Sequence, residues 1–282
     1  MSALDTLVGI AREAAEDVAR FYARHQAEGL VVELKAPDDP VTVADREVDA
    51  CICRALERAF PGCGVIAEES SPRDAGERRD LLHRPWVFFV DPIDGTREFL
   101  AGNGEFCVMI GACHRGRTSM GVIVAPARCE VYAGEVGVAA WWARTDAPGA
   151  SRRPLRVTTR AEPSGATMVV SRSRASAAVR RRADRLGIAH RQPLGSAGLK
   201  AVAVARGDAD LYLHDGAGMG LWDACAGDAL VRAAGGRVTD LAGARIDYLQ
   251  PNRVRPELRI GDGVCFGNPV LHAAVLADAR RG

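Results

Sequence analysis

Asp91 and Asp94 stand three residues apart where an apolar run ends, in the segment Trp86 to Thr96, WVFFVDPIDGT. Acids end up in comparable places at two further points. Glu68-Glu69 follows the apolar Gly64-Val65-Ile66-Ala67, and Asp223 opens a run of small residues after Trp222. Four carboxylates at the ends of core elements make an oxygen-donor set for a hard cation, which Mg²⁺ fills with carboxylates, waters and substrate phosphate. Taken alone, P-I-D-G is an ordinary surface turn, because Asp-Gly turns are common. The recurrence of acid at the end of apolar runs argues for a site.

The elements that must position these acids are readable locally. Trp86–Val90 is short, apolar and rich in strand formers, so it predicts a buried strand. Pro92 lacks an N–H and biases Asp91 towards extended backbone, and Asp94-Gly95 lets the chain reverse with both carboxylates presented together. Thr96 to Leu100 has no breaker and predicts a short helix, which would aim backbone amides and the Thr96 hydroxyl into the same space.

In this order and at these separations, E-E-S, D-P-I-D-G-T and W-D-A-x-A-G resemble the lithium-sensitive, magnesium-dependent inositol monophosphatase superfamily, over most of the chain. Gly95-Thr96-Arg97-Glu98-Phe99 with Asn103-Gly104-Glu105-Phe106 is similar to the CysQ-type 3'(2'),5'-bisphosphate nucleotidases. Val170-Ser171-Arg172-Ser173, Gly195-Ser196 with Lys200, and Leu211-Tyr212 point to the same branch. The chain departs from it at Arg174, where many such relatives carry His, and at Gly216 to Gly220.

The resemblance implies an α/β fold, a layered αβαβα sandwich with an α+β N-terminal lobe and an α/β C-terminal lobe. It implies two or three Mg²⁺ ions held by Glu68, Asp91, the Ile93 carbonyl, Asp94 and Asp223. One ion would lower the pKa of a water that Asp45 and Thr96 align, and another would stabilise the leaving oxygen during in-line attack. Without the resemblance, Asp45 reads as a first-turn acid at a helix N-terminus. Gly95, Thr96, Ser171, Arg172, Ser173, Arg174, Gly195, Ser196, Lys200 and Asp223 would contact substrate, with the serines and cations taking a second phosphate. By itself S-R-S-R is a solvated strand end. The implied reaction removes the 3'-phosphate of adenosine 3',5'-bisphosphate (PAP) to leave AMP, with the sulfated nucleotide PAPS as a second substrate, in sulfur metabolism. Inositol monophosphate, fructose 1,6-bisphosphate or another small phosphate is the alternative with the same chemistry. A non-catalytic phosphate-binding protein is the alternative of another class.

Composition bounds the rest. The chain has 282 residues, 48% of them hydrophobic, enough for one large or two ordinary domains. The boundary is expected near 150, within Arg144 to Arg153, giving lobes 1–150 and 151–282. Lys+Arg 37 against Asp+Glu 36 leaves a net charge of +1, so no global field argues for nucleic acid or an anionic membrane. Lys35 and Lys200 are the two lysines in an arginine-dominated chain. None of the eight cysteines forms a CxxC pair, and most sit in apolar runs, so buried free thiols are expected. No run approaches the ~18 apolar residues of a membrane span, and the start lacks a leader pattern, so a cytoplasmic protein is expected; monomer and homodimer both stay open. Arg180-Arg181-Arg182 with Arg185 reads as a solvated helix face, and Gly102-x-Gly104 lacks the context of a dinucleotide site.

Helices are expected from Leu4 to Tyr22, from Val48 to Phe60, and over 176–186, 198–205, 223–234 and 269–279. Strands are expected over 107–112, 118–125, 129–133, 138–142, 166–171, 209–213 and 263–266. Glu33 to Pro40 reads as an acidic loop and Ser71 to Arg84 as a flexible one. One helix pair followed by hairpins predicts an antiparallel sheet with helices on one side.

Overall fold

The computed structural model describes residues 2–29, 32–36, 39–147, 149–173, 176–215, 219–249, 254–255, 258–261 and 263–280. The chain begins with α1 (Ala3–Glu28), the ribbon β1 (Val32–Ala36) and β2 (Asp39–Thr42), then α2 (Val43–Ala59), β3 (Gly64–Ala67), α3 (Ala75–Leu82), β4 (Trp86–Asp94) and α4 (Thr96–Leu100). A meander follows: β5 (Cys107–His114), β6 (Arg117–Ala125), β7 (Glu130–Glu135), β8 (Ala139–Arg144) and β9 (Arg153–Pro154). The second half alternates β10 (Thr167–Ser171), α5 (Ala177–Arg185), β11 (His190–Leu194), α6 (Ala197–Arg206), β12 (Leu211–His214), α7 (Leu221–Ala233) and β13 (Arg237–Asp240). It closes with β14 (Val254–Arg255), β15 (Arg259–Ile260), β16 (Val264–Gly267) and α8 (Pro269–Ala279).

Two sheets carry the architecture. The first runs β3-β4-β5-β6-β7-β8-β9, antiparallel except for the parallel β3–β4 pair, and the second runs β11-β10-β12-β16-β13. Helices α1 and α2 cover one face of the first sheet, α6 and α7 lie between the sheets, and α8 packs on the second, with α5 beside it. The result is the layered αβαβα arrangement expected. The first sheet differs from expectation in having helices on both faces. Its interior strand β4 is buried at every residue from Val87 to Asp94, so its second apolar face also needs a cover, which α7 supplies. The approach is close. A Cβ on Gly111 would lie 2.5 Å from the Ala226 nitrogen, and one on Gly121 would lie 2.3 Å from the Ala226 oxygen. That distance explains the small residues of α7, and it brings Asp223 to the acids at the end of β4.

Two expected loops are structured. Residues 75–82 form α3, capped by the Asp74 carboxylate accepting from the Glu77 N–H at 2.9 Å, and the helix hides little more than Leu82. A helix that buries one residue leaves no apolar period to read. The acidic segment after Glu33 is half of the β1–β2 ribbon, with Glu33 opposite Val41. Strands β11 and β13 were not anticipated. Both are edges of the second sheet, where polar residues such as His190, Arg191 and Gln192 are tolerated. The eight cysteines are free thiols; Cys107, Cys113, Cys225 and Cys265 are buried, while Cys51 is exposed. Trp141 and Trp142 lie under the guanidinium groups of Arg152 and Arg153 at 4.1 and 5.1 Å.

Candidate active site

The strand β4 delivers its acids as its sequence requires. Asp91 still pairs with β5, the Ile93 N–H turns back to its Oδ1 at 3.1 Å, and Gly95 reverses the chain at φ +95°. A side chain is excluded at Gly95 twice over, since that φ is left-handed and a Cβ would sit 2.9 Å from the Glu105 carbonyl oxygen. Carboxylate oxygens of Asp91, Asp94 and Asp223 all lie within 4.8 Å of one another. Asp223 is held by α7's own N-terminus, its Oδ2 accepting from the Gly220 N–H at 2.6 Å. Glu68, at the end of β3, lines the same cavity, whose volume is about 350 Å³.

The acids are crowded. Burial pushes Asp91 well above its usual range, with Glu68, Asp94 and Asp223 adding repulsion. Burial, Glu68 and Asp94 likewise push Asp223 up to about 7. Hard oxygen donors that cannot all ionise together without help match a divalent cation, so this donor set fits Mg²⁺.

Asp94, at the end of β4, is tied to the start of α6. Its Oδ1 accepts from the Ala197 N–H at 3.0 Å and its Oδ2 from the Gly198 N–H at 2.6 Å, with the Ser196 hydroxyl also donating to Oδ2. An acid at the first turn of α6 satisfies otherwise orphaned N–H groups and complements the helix dipole. Ser196 caps the same helix by accepting from the Leu199 N–H at 3.0 Å.

Asp45 satisfies both readings of its position. Its Oδ2 accepts from the Thr42 N–H at 2.7 Å and the Thr42 hydroxyl at 2.6 Å, completing a capping box on α2. Its Oδ1 faces the Thr96 hydroxyl at 3.2 Å, and that hydroxyl is also 3.2 Å from the Ile93 carbonyl oxygen. Asp45 is buried and stands behind Thr96, which lines the cavity.

Of the remaining expected contacts, Ser171, Ser173, Ser196, Lys200 and Gly95 line the cavity. Lys200 is 4% exposed; its ammonium donates to the Ser196 carbonyl and, at 3.4 Å, to that of Leu194. Burial lowers its pKa, while Asp94 and Glu98 hold it up. Arg172 and Gly195 are not among the cavity's described lining residues. Arg172 forks onto Glu105, Nε to Oε2 at 2.7 Å and Nη2 to Oε1 at 2.6 Å, and Glu105 also receives the Gly195 N–H at 2.6 Å. Gly195 packs so closely that a Cβ would meet Glu98 Cγ at 2.4 Å. Arg174 lies outside the described residues.

Sequence reasoning did not single out Arg97, Glu98, His214, Met219 or Arg259, which also line the cavity. Glu98 was visible only as part of T-R-E-F, where nothing announces that it is buried. Arg259 has no local signal; it arrives because β15 bridges to Gly220 beside Asp223.

Residues 2–281 match the family model described as the inositol monophosphatase family. The chain belongs to that family. It is 34% identical over 245 residues to the 3'(2'),5'-bisphosphate nucleotidase CysQ of Escherichia coli strain K12, covering 87% of this chain and 93% of the relative. It is 32% identical to an inositol-1-monophosphatase of Mesorhizobium japonicum, covering 99% of this chain and 96% of the relative. The crystal structure of the extragenic suppressor protein suhB of Bartonella henselae superposes with a TM-score of 0.79 at 27% identity, covering 100% of both chains. The Thermotoga maritima IMPase shares the fold, with a TM-score of 0.78 at 24% identity over 100% of this chain and 98% of that one. Family membership makes the chain a phosphatase, and enzymes of this family use Mg²⁺. Among the described residues, no helix is long and apolar enough to cross a membrane.

Proposed function

We propose that this phosphatase is a 3'(2'),5'-bisphosphate nucleotidase that hydrolyses adenosine 3',5'-bisphosphate to AMP and phosphate, with PAPS as a second substrate. The observation that carries this reading is one cavity with two unlike walls. Asp91, Asp94, Asp223 and Glu68 form the acidic wall, while Ser171, Ser173, Lys200 and Arg259 bring hydroxyl and cationic donors to the same space. Such donors suit a second phosphate remote from the reacting one. The similarity to CysQ supports the same choice.

The carboxylates with the Ile93 carbonyl would hold Mg²⁺, which supplies charge neutralisation and a more acidic water when bound. The protein's part is positioning. Asp45 accepts the Thr96 hydroxyl hydrogen, leaving a Thr96 lone pair to orient the attacking water. The water oxygen bonds to phosphorus as the P–O3' bond breaks, the water's proton passes through Thr96 Oγ1 to Asp45, and the 3'-oxygen leaves with the bond's electron pair and takes a proton from solvent to become the 3'-hydroxyl of AMP. Asp45 therefore acts as a positioning and proton-holding residue behind the hydroxyl that meets the water.

A second reading has its own support. The relative named inositol-1-monophosphatase covers nearly the whole chain, so inositol monophosphate is the competing substrate. Phosphate release from adenosine 3',5'-bisphosphate, PAPS, inositol 1-phosphate and fructose 1,6-bisphosphate, each with Mg²⁺ and with or without lithium, separates them. Preference for the bisphosphate nucleotide is expected, with lithium suppressing it. Preference for a sugar phosphate, or no turnover of any of the four, would keep the fold and overturn the substrate.

A further inference from the structure

A second hollow of about 540 Å³ lies against the C-terminal half of α7, away from the cavity at that helix's first turn. Arg115 and Arg117 of the β5–β6 turn, Arg232 of α7 and Arg245 of the segment after β13 face it. Asp228 and Asp247 are the acids in its wall. They leave the arginines unbalanced. Asp228 is buried and already engaged, accepting from the Thr118 hydroxyl at 2.6 Å, the Tyr248 hydroxyl at 3.2 Å and the Arg232 guanidinium. Asp247 accepts the Leu249 N–H at 2.9 Å. Among the described residues, Arg115, Arg117 and Arg245 have no ion-pair partner.

Arg232 differs from the other three in being fixed. Its guanidinium donates both to Asp228 and to the Val238 carbonyl, so its position is set before any ligand arrives. Four arginines against two acids give the wall a surplus of positive charge, which a bound anion would offset. Guanidinium groups match phosphate oxygens with paired N–H donors. The hollow also has an apolar side formed by Val136, Ile246 and Leu249, and Leu249 packs so closely over Gly116 that a Cβ there would meet it at 2.4 Å.

We propose that this hollow is a second ligand site, separate from the phosphatase cavity, that binds a small phosphate monoester with an apolar or aromatic body. The arginines hold the phosphate and the Val136, Ile246 and Leu249 wall covers the body. From Asp223 to Arg232 is nine residues of helix, so the two sites stand roughly 13 Å apart along α7.

The test uses the Mg²⁺-loaded full chain titrated calorimetrically with phenylphosphonate, whose carbon–phosphorus bond the phosphatase does not hydrolyse. One binding event is expected to survive Asp94→Asn and to weaken at least tenfold in Arg117→Glu and in Arg245→Glu, with phosphatase turnover unchanged in both reversals. Arg245→Gln, a milder change at an exposed residue, should show the same direction at an unchanged melting temperature. No binding, a single event that disappears in Asp94→Asn, or binding indifferent to both charge reversals would overturn the proposal.

Discussion

Asp94 Oδ2 lies 2.6 Å from the backbone nitrogen of Gly198, which joins the acidic turn of the first sheet to the first turn of α6. One carboxylate thus belongs to the cation-fitting cluster and to the junction of β4 with α6. Replacing Asp94 by Asn turns an amide NH₂ towards N–H and O–H donors. Turnover is expected to fall at least a hundredfold. Stability should fall by about 1–3 kcal/mol, the usual cost of leaving buried donors unpaired. Steady-state kinetics and urea unfolding of the same preparation check both halves.

Asp45 and Thr96 predict a different pattern. In Thr96→Val the water loses its hydroxyl partner but the α2 capping box remains, so kcat should drop roughly 10²–10⁴-fold at little cost in stability. In Asp45→Asn the same loss of kcat should come with a lower melting temperature, because Oδ2 caps the helix. Equal melting temperatures for the two variants would contradict this division of labour.

The Arg172–Glu105 pair joins the end of β10 to the segment before β5. Burial pushes Glu105 up, but Arg172 and the Gly195 N–H outweigh it and leave the acid below its ordinary value. If the guanidinium swings to a substrate's second phosphate, Arg172→Ala raises KM for adenosine 3',5'-bisphosphate several-fold and leaves KM for inositol 1-phosphate unchanged. A parallel rise for both substrates would assign the pair to holding β10 against the segment before β5.

Removal of Mg²⁺ tests the acidic cluster without touching the sequence. Buried carboxylates repel one another until a cation joins them, so Mg²⁺ should raise the melting temperature of the wild type, with about 2.7 kcal/mol expected at a hundredfold excess over Kd. In Asp91→Asn the gain should shrink sharply. Scanning calorimetry with chelator and with Mg²⁺ provides the comparison.

His272 predicts a pH dependence away from the site. It is 1% exposed, and burial, with Arg237 and Arg232 adding to it, lowers its pKa to about 4. The unfolded chain, with an ordinary histidine pKa of about 6.5, therefore binds more protons than the folded chain between these values. The contribution is complete above pH 6.5 and is lost as pH falls towards 4, amounting to about 3 kcal/mol at most. The stability of His272→Gln should fall less steeply than that of the wild type over this window in urea titrations at pH 7, 5.5 and 4.5.

What could be read from the sequence follows from covalent neighbourhood. The run ending at Asp91, the Pro92 constraint and the Asp94-Gly95 reversal are local properties, so the acidic turn and the short helix from Thr96 were legible, as was the small-residue helix carrying Asp223. The capping box of Asp45 was legible for the same reason. Edge strands such as β11, and α3 with its single buried leucine, left no period to read because little of them faces the core.

Only the tertiary structure decided which of these groups meet. Asp94 and Gly198 are 104 residues apart in sequence, and no local pattern says that α6 will present its amides to that carboxylate. Arg172 and Lys200 looked alike as cations, yet Glu105 holds the first outside the cavity and burial holds the second in its wall. Arg259 enters the site, and four dispersed arginines converge on the second hollow, through strand pairing and packing across long loops. Local residue types determine what chemistry each element can offer. The packing of α7 between two sheets determines which of those offers share a space.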